Sequence, residues 1–207
     1  MKFFLFFLTF TASNSLFGQS TTLTIGQNAP LPDHQLASTT GESFTLNTLN
    51  KEGLIVIFTS NTCPFVVGFN DGTFSGWENS YNAIFEKAKT TNSNVVLVNS
   101  NEAKRDGGES MADMIQRKSE KGFSMPYVLD KNSELANAFG AKTTPHVFFF
   151  DTNLKLIYSG SIDNSFEDKR KKDIPYLMNA IEAHSKRKKI KTKSTSPKGC
   201  SIKRLKS

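Results

Sequence analysis

The chain has 207 residues, enough for one α/β domain with terminal segments. At 37% hydrophobic and 11% aromatic residues, with 18 Phe, it can build a core, which excludes a disordered or low-complexity chain. The net charge of +7 is uneven: His184–Ser207 holds ten Lys/Arg and no Asp/Glu, leaving sixteen basic against nineteen acidic groups elsewhere. Two Cys, Cys63 and Cys200, cannot staple a small scaffold, and neither has a neighbour at zinc-ligand spacing.

Residues 1–19 open with Met1-Lys2, run apolar from Phe3 to Phe10 and end in small and polar residues at Gly18-Gln19. That layout predicts a secretory signal peptide, with an apolar run too short to anchor in a bilayer. The protein is therefore expected in the periplasm or cell envelope of a bacterium. Residues 20–183 read as one domain, and residues 184–207 as a basic tail carrying Cys200.

Within the domain, Ser20–Gln35 is an irregular lead-in with Pro30 and Pro32. A hairpin is expected about Gly41, between His34–Ser38 and Ser43–Leu46. Leu54–Phe58 is a continuous apolar run, which marks a central strand covered on both faces; Asn94–Val98 and Val147–Phe150 repeat it. Leu154–Ser159 alternates, which predicts a half-exposed edge strand. Ser75 and Glu78 form a capping-box pair ahead of Trp77, Tyr81, Ile84, Phe85 and Ala88, and Ser110 and Asp113 do so ahead of Met111, Met114 and Ile115. A short helix over Ser133–Phe139 stops at Gly140, and Asp173 opens a last helix with Ile174, Leu177, Met178 and Ile181 on one side. The order hairpin, βα, βα, short helix, ββ, α predicts an α/β fold with a mixed central sheet flanked by helices. The tail carries like charges and no apolar periodicity, so it is expected to be solvated and flexible. It can touch anionic surfaces, whereas nucleic acid is not an expected partner of an exported chain.

Cys63 lies in Thr59-Ser60-Asn61-Thr62-Cys63-Pro64-Phe65-Val66, just past the most buried strand, where open α/β sheets place their sites. Pro64 suits the first turn of a helix, so the sulfur is expected beside free backbone N–H groups that favour the thiolate. Ser60 can turn its hydroxyl toward that sulfur. The competing reading is a small buried apolar residue, as free Cys usually is. Thr143-Thr144-Pro145-His146 precedes a Phe-rich strand, and a cis bond before Pro145 would bring backbone groups against the site. His34, His146 and His184 are scattered, and Asp106-Gly107-Gly108-Glu109 reads as a turn, so neither metal nor cofactor is expected.

The stretch Phe58–Val66, FTSNTCPFV, resembles the site of the redoxin (alkyl hydroperoxide reductase and thiol-specific antioxidant) family, in its peroxiredoxin-like branch with an N-x-C-P-[FY]-V core. The likeness continues in GFSMPYVLD (Gly122–Asp130), AFGAKTTPHVFFFD (Ala138–Asp151), LIYSGSIDN (Leu156–Asn164) and GCSIK (Gly199–Lys203). It implies a thioredoxin-like fold, with Pro145 matching the family's cis-Pro and Cys63 its conserved thiol. Many members carry a Cys at the position of Ser60, and peroxiredoxins carry a Thr whose hydroxyl assists the thiolate. Peroxiredoxins also set an Arg beside the sulfur. None stands next to Thr144-Pro145 or in Gly160-Ser161-Ile162, so Arg105, Arg117 or Arg170 would have to fold back.

The expectation is an exported thiol oxidoreductase acting on the disulfide of a protein partner or on a hydroperoxide. Cys63 is its attacking thiolate, Ser60 supports it, and Pro145 shapes the substrate face. Cys200 is the candidate resolving thiol, condensing with an oxidised Cys63. An external thiol reductant supplies electrons. Two rivals stand beside this: a single-Cys peroxidase, and a redox-inactive binding module on the same scaffold.

Overall fold

The computed structural model describes residues 21–167 and 169–206, so the expected leader lies outside the described residues. After an irregular lead-in the chain forms β1 (Leu36–Ser38), β2 (Ser43–Phe44), α1 (Leu46–Leu49), β3 (Gly53–Thr59), α2 (Pro64–Val67), α3 (Tyr81–Lys89) and β4 (Ser93–Asn99). It continues with α4 (Met111–Lys121), β5 (Tyr127–Leu129), α5 (Glu134–Phe139), β6 (Thr143–Thr144), β7 (His146–Asp151), β8 (Leu156–Gly160), α6 (Tyr176–Ser185) and β9 (Cys200–Ser201). Among the described residues, seven strands form one sheet in the order β2-β1-β5-β4-β3-β7-β8. The β3–β4 and β4–β5 pairs are parallel and the other neighbours antiparallel, while β6 and β9 pair separately.

The apolar run of β3 is buried at every residue, as a strand covered on both faces requires. Its side chains alternate between two cores. Ile55 and Ile57 join Val95, Leu97 and Phe149 under α3 and α6; Leu54, Val56 and Phe58 join Val96, Val98, Phe148 and Phe150 under α1 and α5. Each fully buried side chain of this size is worth about 1.5–3 kcal/mol over its exposed state. That anchoring fixes where β3 ends, and hence where Cys63 begins the next element.

Some local signals lost to tertiary partners. Ser110 and Asp113 do form a capping box on α4. Ser75 and Glu78 do not: Gly76 leads into a 3-10 turn over Trp77–Ser80 and then α3, with no side-chain cap on either. Glu78 is buried instead and pairs with Arg117 and Lys121 of α4, each at 2.8 Å. A buried carboxylate needs charge partners more than an exposed helix end needs a cap. The last helix starts at Tyr176 after Pro175, not at Asp173, which pairs with Arg170.

The expected free tail is a packed strap. Ile190 and Ile202 are buried in the two cores, one on each side of the sheet. Between them Ser194 bridges Ser159 of β8 in parallel, Thr195 N donates to Ser159 O at 3.0 Å, and the Thr195 hydroxyl accepts from Ser161 N at 2.8 Å. This strap covers β8, so that strand is mostly buried where alternation predicted a half-exposed edge. Beyond it, β9 lies on β6, Ile202 N donates to Lys142 O at 3.1 Å, and Lys203 N donates to Asn101 Oδ1 at 2.9 Å.

Candidate active site

Cys63 is the N-cap of α2, and Pro64 occupies the first helical position as expected. The helix is only four residues long, and Val66 and Val67 both donate to Cys63 O, at 2.8 and 2.9 Å. Its remaining amide, Phe65 N–H, lies on the Cys200 side and favours the charged form of that thiol. The Cys63 sulfur instead donates to Thr144 O at 3.1 Å. The hydrogen-bond partner of the Cys63 sulfur is thus the Thr144 carbonyl, while the Cys63 and Val66–Val67 backbone groups fix the turn.

Cys63 is 4% exposed. The Thr144-Pro145 bond is cis, and it presents the Thr144 carbonyl to the sulfur. On the same dipeptide, β6 pairs with β9 so that Thr144 stands opposite Cys200. Both cysteines are free thiols, and Cys200 packs against the buried cluster that holds Cys63. Burial first, and then the neighbouring Cys63 thiol, push the Cys200 thiol up to about 11. Gly199 makes this approach possible: a Cβ there would stand 2.1 Å from Thr144 O. Gly160, at φ +143°, does the same under the strap, where a Cβ would meet Thr195 Oγ1 at 2.1 Å.

Ser60 is buried, but its hydroxyl proton is not given to the sulfur. Ser60 Oγ donates to Glu109, and it accepts from Cys63 N at 3.0 Å and Thr62 N at 3.1 Å. Glu109 has no measurable exposure, and it also accepts from Asn61 N (3.0 Å), Thr62 N (3.2 Å), Thr62 Oγ1 (2.7 Å) and Asn99 Nδ2 (2.5 Å). In the sequence Glu109 closes the expected Asp106-Gly107-Gly108-Glu109 turn. The available signal was its place immediately before the Ser110 cap, where a turn acid has no capping duty of its own.

None of the three arginines considered for the sulfur reaches it. Arg105 donates to Asn99 Oδ1, Asn99 O, Glu109 O and Asp130 O at 2.8–3.1 Å; Arg117 forks onto Glu78; Arg170 donates to Ser165 O and pairs with Asp173. The open flank of α2 is aromatic. Phe65 packs on Phe69, Trp77 and Phe166 with ring centroids 5.4, 6.2 and 5.0 Å apart. Among the described residues, no cluster of His, Cys, Asp and Glu could hold a metal ion, and no helix is long and apolar enough to cross a membrane.

A family model described as Redoxin matches residues 26–174. No curated protein matches the chain. Among solved structures, it is similar to a hypothetical protein from Sinorhizobium meliloti 1021, at 28% identity and TM-score 0.78, over 91% of this chain and 99% of that one. An uncharacterized conserved protein from Geobacillus kaustophilus is also similar, at 25% identity and TM-score 0.74, over 89% of this chain and 94% of that one. Peroxiredoxin Q from Xanthomonas campestris shares the fold at 16% identity and TM-score 0.54, over 79% of this chain and 97% of its own. The Redoxin match stops short of the strap, so Cys200 lies outside it.

Proposed function

Because the chain belongs to the Redoxin family, and is thus a thioredoxin-fold, thiol-dependent peroxidase or oxidoreductase, we propose that it works as a dithiol–disulfide oxidoreductase through Cys63 and Cys200. One observation carries this reading: β9 sets Cys200 opposite Thr144, the residue whose carbonyl accepts from the Cys63 sulfur. The second thiol that many relatives keep three residues before the first is supplied here by a strand 137 residues later in the chain.

The steps balance without a bound cofactor. Deprotonated Cys63 attacks one sulfur of a substrate disulfide, forming a mixed disulfide and expelling a thiolate. Cys200, deprotonated in turn, attacks the Cys63 sulfur, closing the Cys63–Cys200 bond and releasing the second substrate thiolate. The substrate is reduced by two electrons and the protein oxidised by two; an external dithiol reverses both. In this scheme Pro145 and the Thr144 carbonyl shape the face on which the exchange occurs. Phe65 N–H, directed at Cys200, supports that sulfur when it carries charge.

Hydroperoxide is the second substrate class. A cysteine as buried as Cys63 admits a small oxidant more readily than a protein, and the Redoxin match favours peroxide chemistry. Against rapid peroxide turnover stand the commitments of Arg105, Arg117 and Arg170 to other partners. In this route Cys63 is oxidised to the sulfenic acid as the peroxide leaves as an alcohol, and Cys200 condenses with it, releasing water. The leader pattern of residues 1–19 supports placing the reaction in the cell envelope.

The test is turnover of a small disulfide and of a hydroperoxide, each with an external dithiol, by the wild type, Cys63→Ser and Cys200→Ser. Disulfide turnover lost in both variants is the expected result. Hydroperoxide turnover that survives Cys200→Ser would restore the single-Cys peroxidase, and no reaction with either substrate would leave a binding module.

A further inference from the structure

Glu109 is a fully buried carboxylate that the dithiol chemistry does not use, yet one hydroxyl separates it from the Cys63 backbone. It accepts five hydrogen bonds, four of them from Ser60, Asn61 and Thr62, the three residues that lead into Cys63. A hydroxyl has a single proton to give. Ser60 gives it to Glu109, so its oxygen faces the Cys63 and Thr62 amides.

We propose that Glu109 is a positioning residue for Cys63, which claims the Ser60 proton, holds the segment before the thiol in place, and restrains thiolate formation by its buried charge. The inference rests on the reading of Cys63 as the reactive thiol. Like charges in a shared low-dielectric site disfavour one another, and the chain Glu109–Ser60 Oγ–Cys63 N places the carboxylate two hydrogen bonds from the thiol-bearing residue. Arg105 offsets part of this repulsion through Asn99 and the Glu109 carbonyl. The other titratable groups facing this site are Tyr81, Tyr127 and Cys200, with Lys203 beside Cys200. Burial holds both tyrosine hydroxyls well above their ordinary value, so they stay neutral through the working range. Glu109→Gln thus removes a charge that is joined to Cys63 through the Ser60 hydroxyl, without touching either thiol.

The experiment measures the alkylation rate of Cys63 against pH in the full chain carrying Cys200→Ser, which leaves one thiol. Adding Glu109→Gln keeps an acceptor for Ser60 and removes the charge. The curve's midpoint should fall, giving alkylation about tenfold faster at neutral pH, with an unchanged plateau at high pH. Simple loosening would raise the plateau as well. Ser60→Ala reads the same coupling from the other end and should also move the midpoint. Asn61→Ala, which cuts contacts to Gly108 and Tyr127 without altering charge, should lower Tm and leave the midpoint in place. An unmoved midpoint in Glu109→Gln, or an equal shift in Asn61→Ala, overturns the proposal. If the parent Cys63 does not alkylate in the folded protein at any pH, the failure belongs to the functional reading instead.

Discussion

The Cys63 segment and the C-terminal strap meet at the same dipeptide, Thr144-Pro145, but they reach it by different physical routes. The Cys63 segment is set by local rules: an apolar strand, a strand end, a Pro in the first helical turn. The strap is set by long-range contacts that leave no period in the sequence. It is held by two isolated isoleucines, by backbone hydrogen bonds to β8 and β6, and by two glycines where a Cβ would collide. A charge-rich stretch is therefore not free merely because it lacks an amphipathic pattern; a few buried side chains and a strand edge suffice to hold it.

The largest effect should come from ending the chain at Lys189. Ile190 and Ile202 go with the strap, and their burial alone is worth about 3–6 kcal/mol. A urea melt should show that loss, with Cys63 alkylated faster than in the full chain. An unchanged melt would return the strap to the status of a free tail.

The junction of the two regions should also be acid-sensitive. His146 follows Pro145 and is buried between Lys142 N and the Ser159 hydroxyl. Burial, helped by the nearby Lys142 charge, pushes its imidazole down from 6.5 to about 3. The fold holds the neutral ring while the unfolded chain takes up the proton. The contribution is therefore complete above about pH 6.5 and is lost as pH falls toward 3, a change of a few kcal/mol. His146→Gln should flatten that acid limb of stability against pH, and an identical limb in the variant would contradict the assignment.

Gly199→Val probes the contact itself. Its side chain would collide with Thr144 O, and such crowding costs about 1–3 kcal/mol. The variant should melt earlier and form the Cys63–Cys200 bond more slowly, while Lys198→Val, at the exposed neighbouring position, should do neither. The smallest effect concerns reactivity. In Cys63→Ser, burial still holds the Cys200 thiol high, so its alkylation at pH 8 should run roughly tenfold or more below the urea-unfolded rate. Equal rates would mean that the strap does not shield it.

The two regions also differ in how far the sequence alone could disclose them. The covered strands, the α4 cap and the strand-end position of Cys63 followed from patterns within about ten residues. Cys200 was legible as a candidate partner, but its route was not: a hinged tail was expected where a paired strand stands. Glu109 was missed because its five hydrogen-bond donors come from residues ten or about forty-eight positions away, which no local motif encodes. Ser60 accepts from the Cys63 amide, but its own proton goes to a carboxylate that no local pattern places there.

The most direct measurement is peptide mapping by mass spectrometry after mild oxidation of the folded monomer with a disulfide or hydroperoxide. A single intramolecular Cys63–Cys200 bond, formed within one chain and reversed by an external dithiol, is the predicted result. Two unreacted thiols, a Cys63 that proceeds to sulfinic acid with Cys200 still free, or bonds formed only between chains would contradict the account.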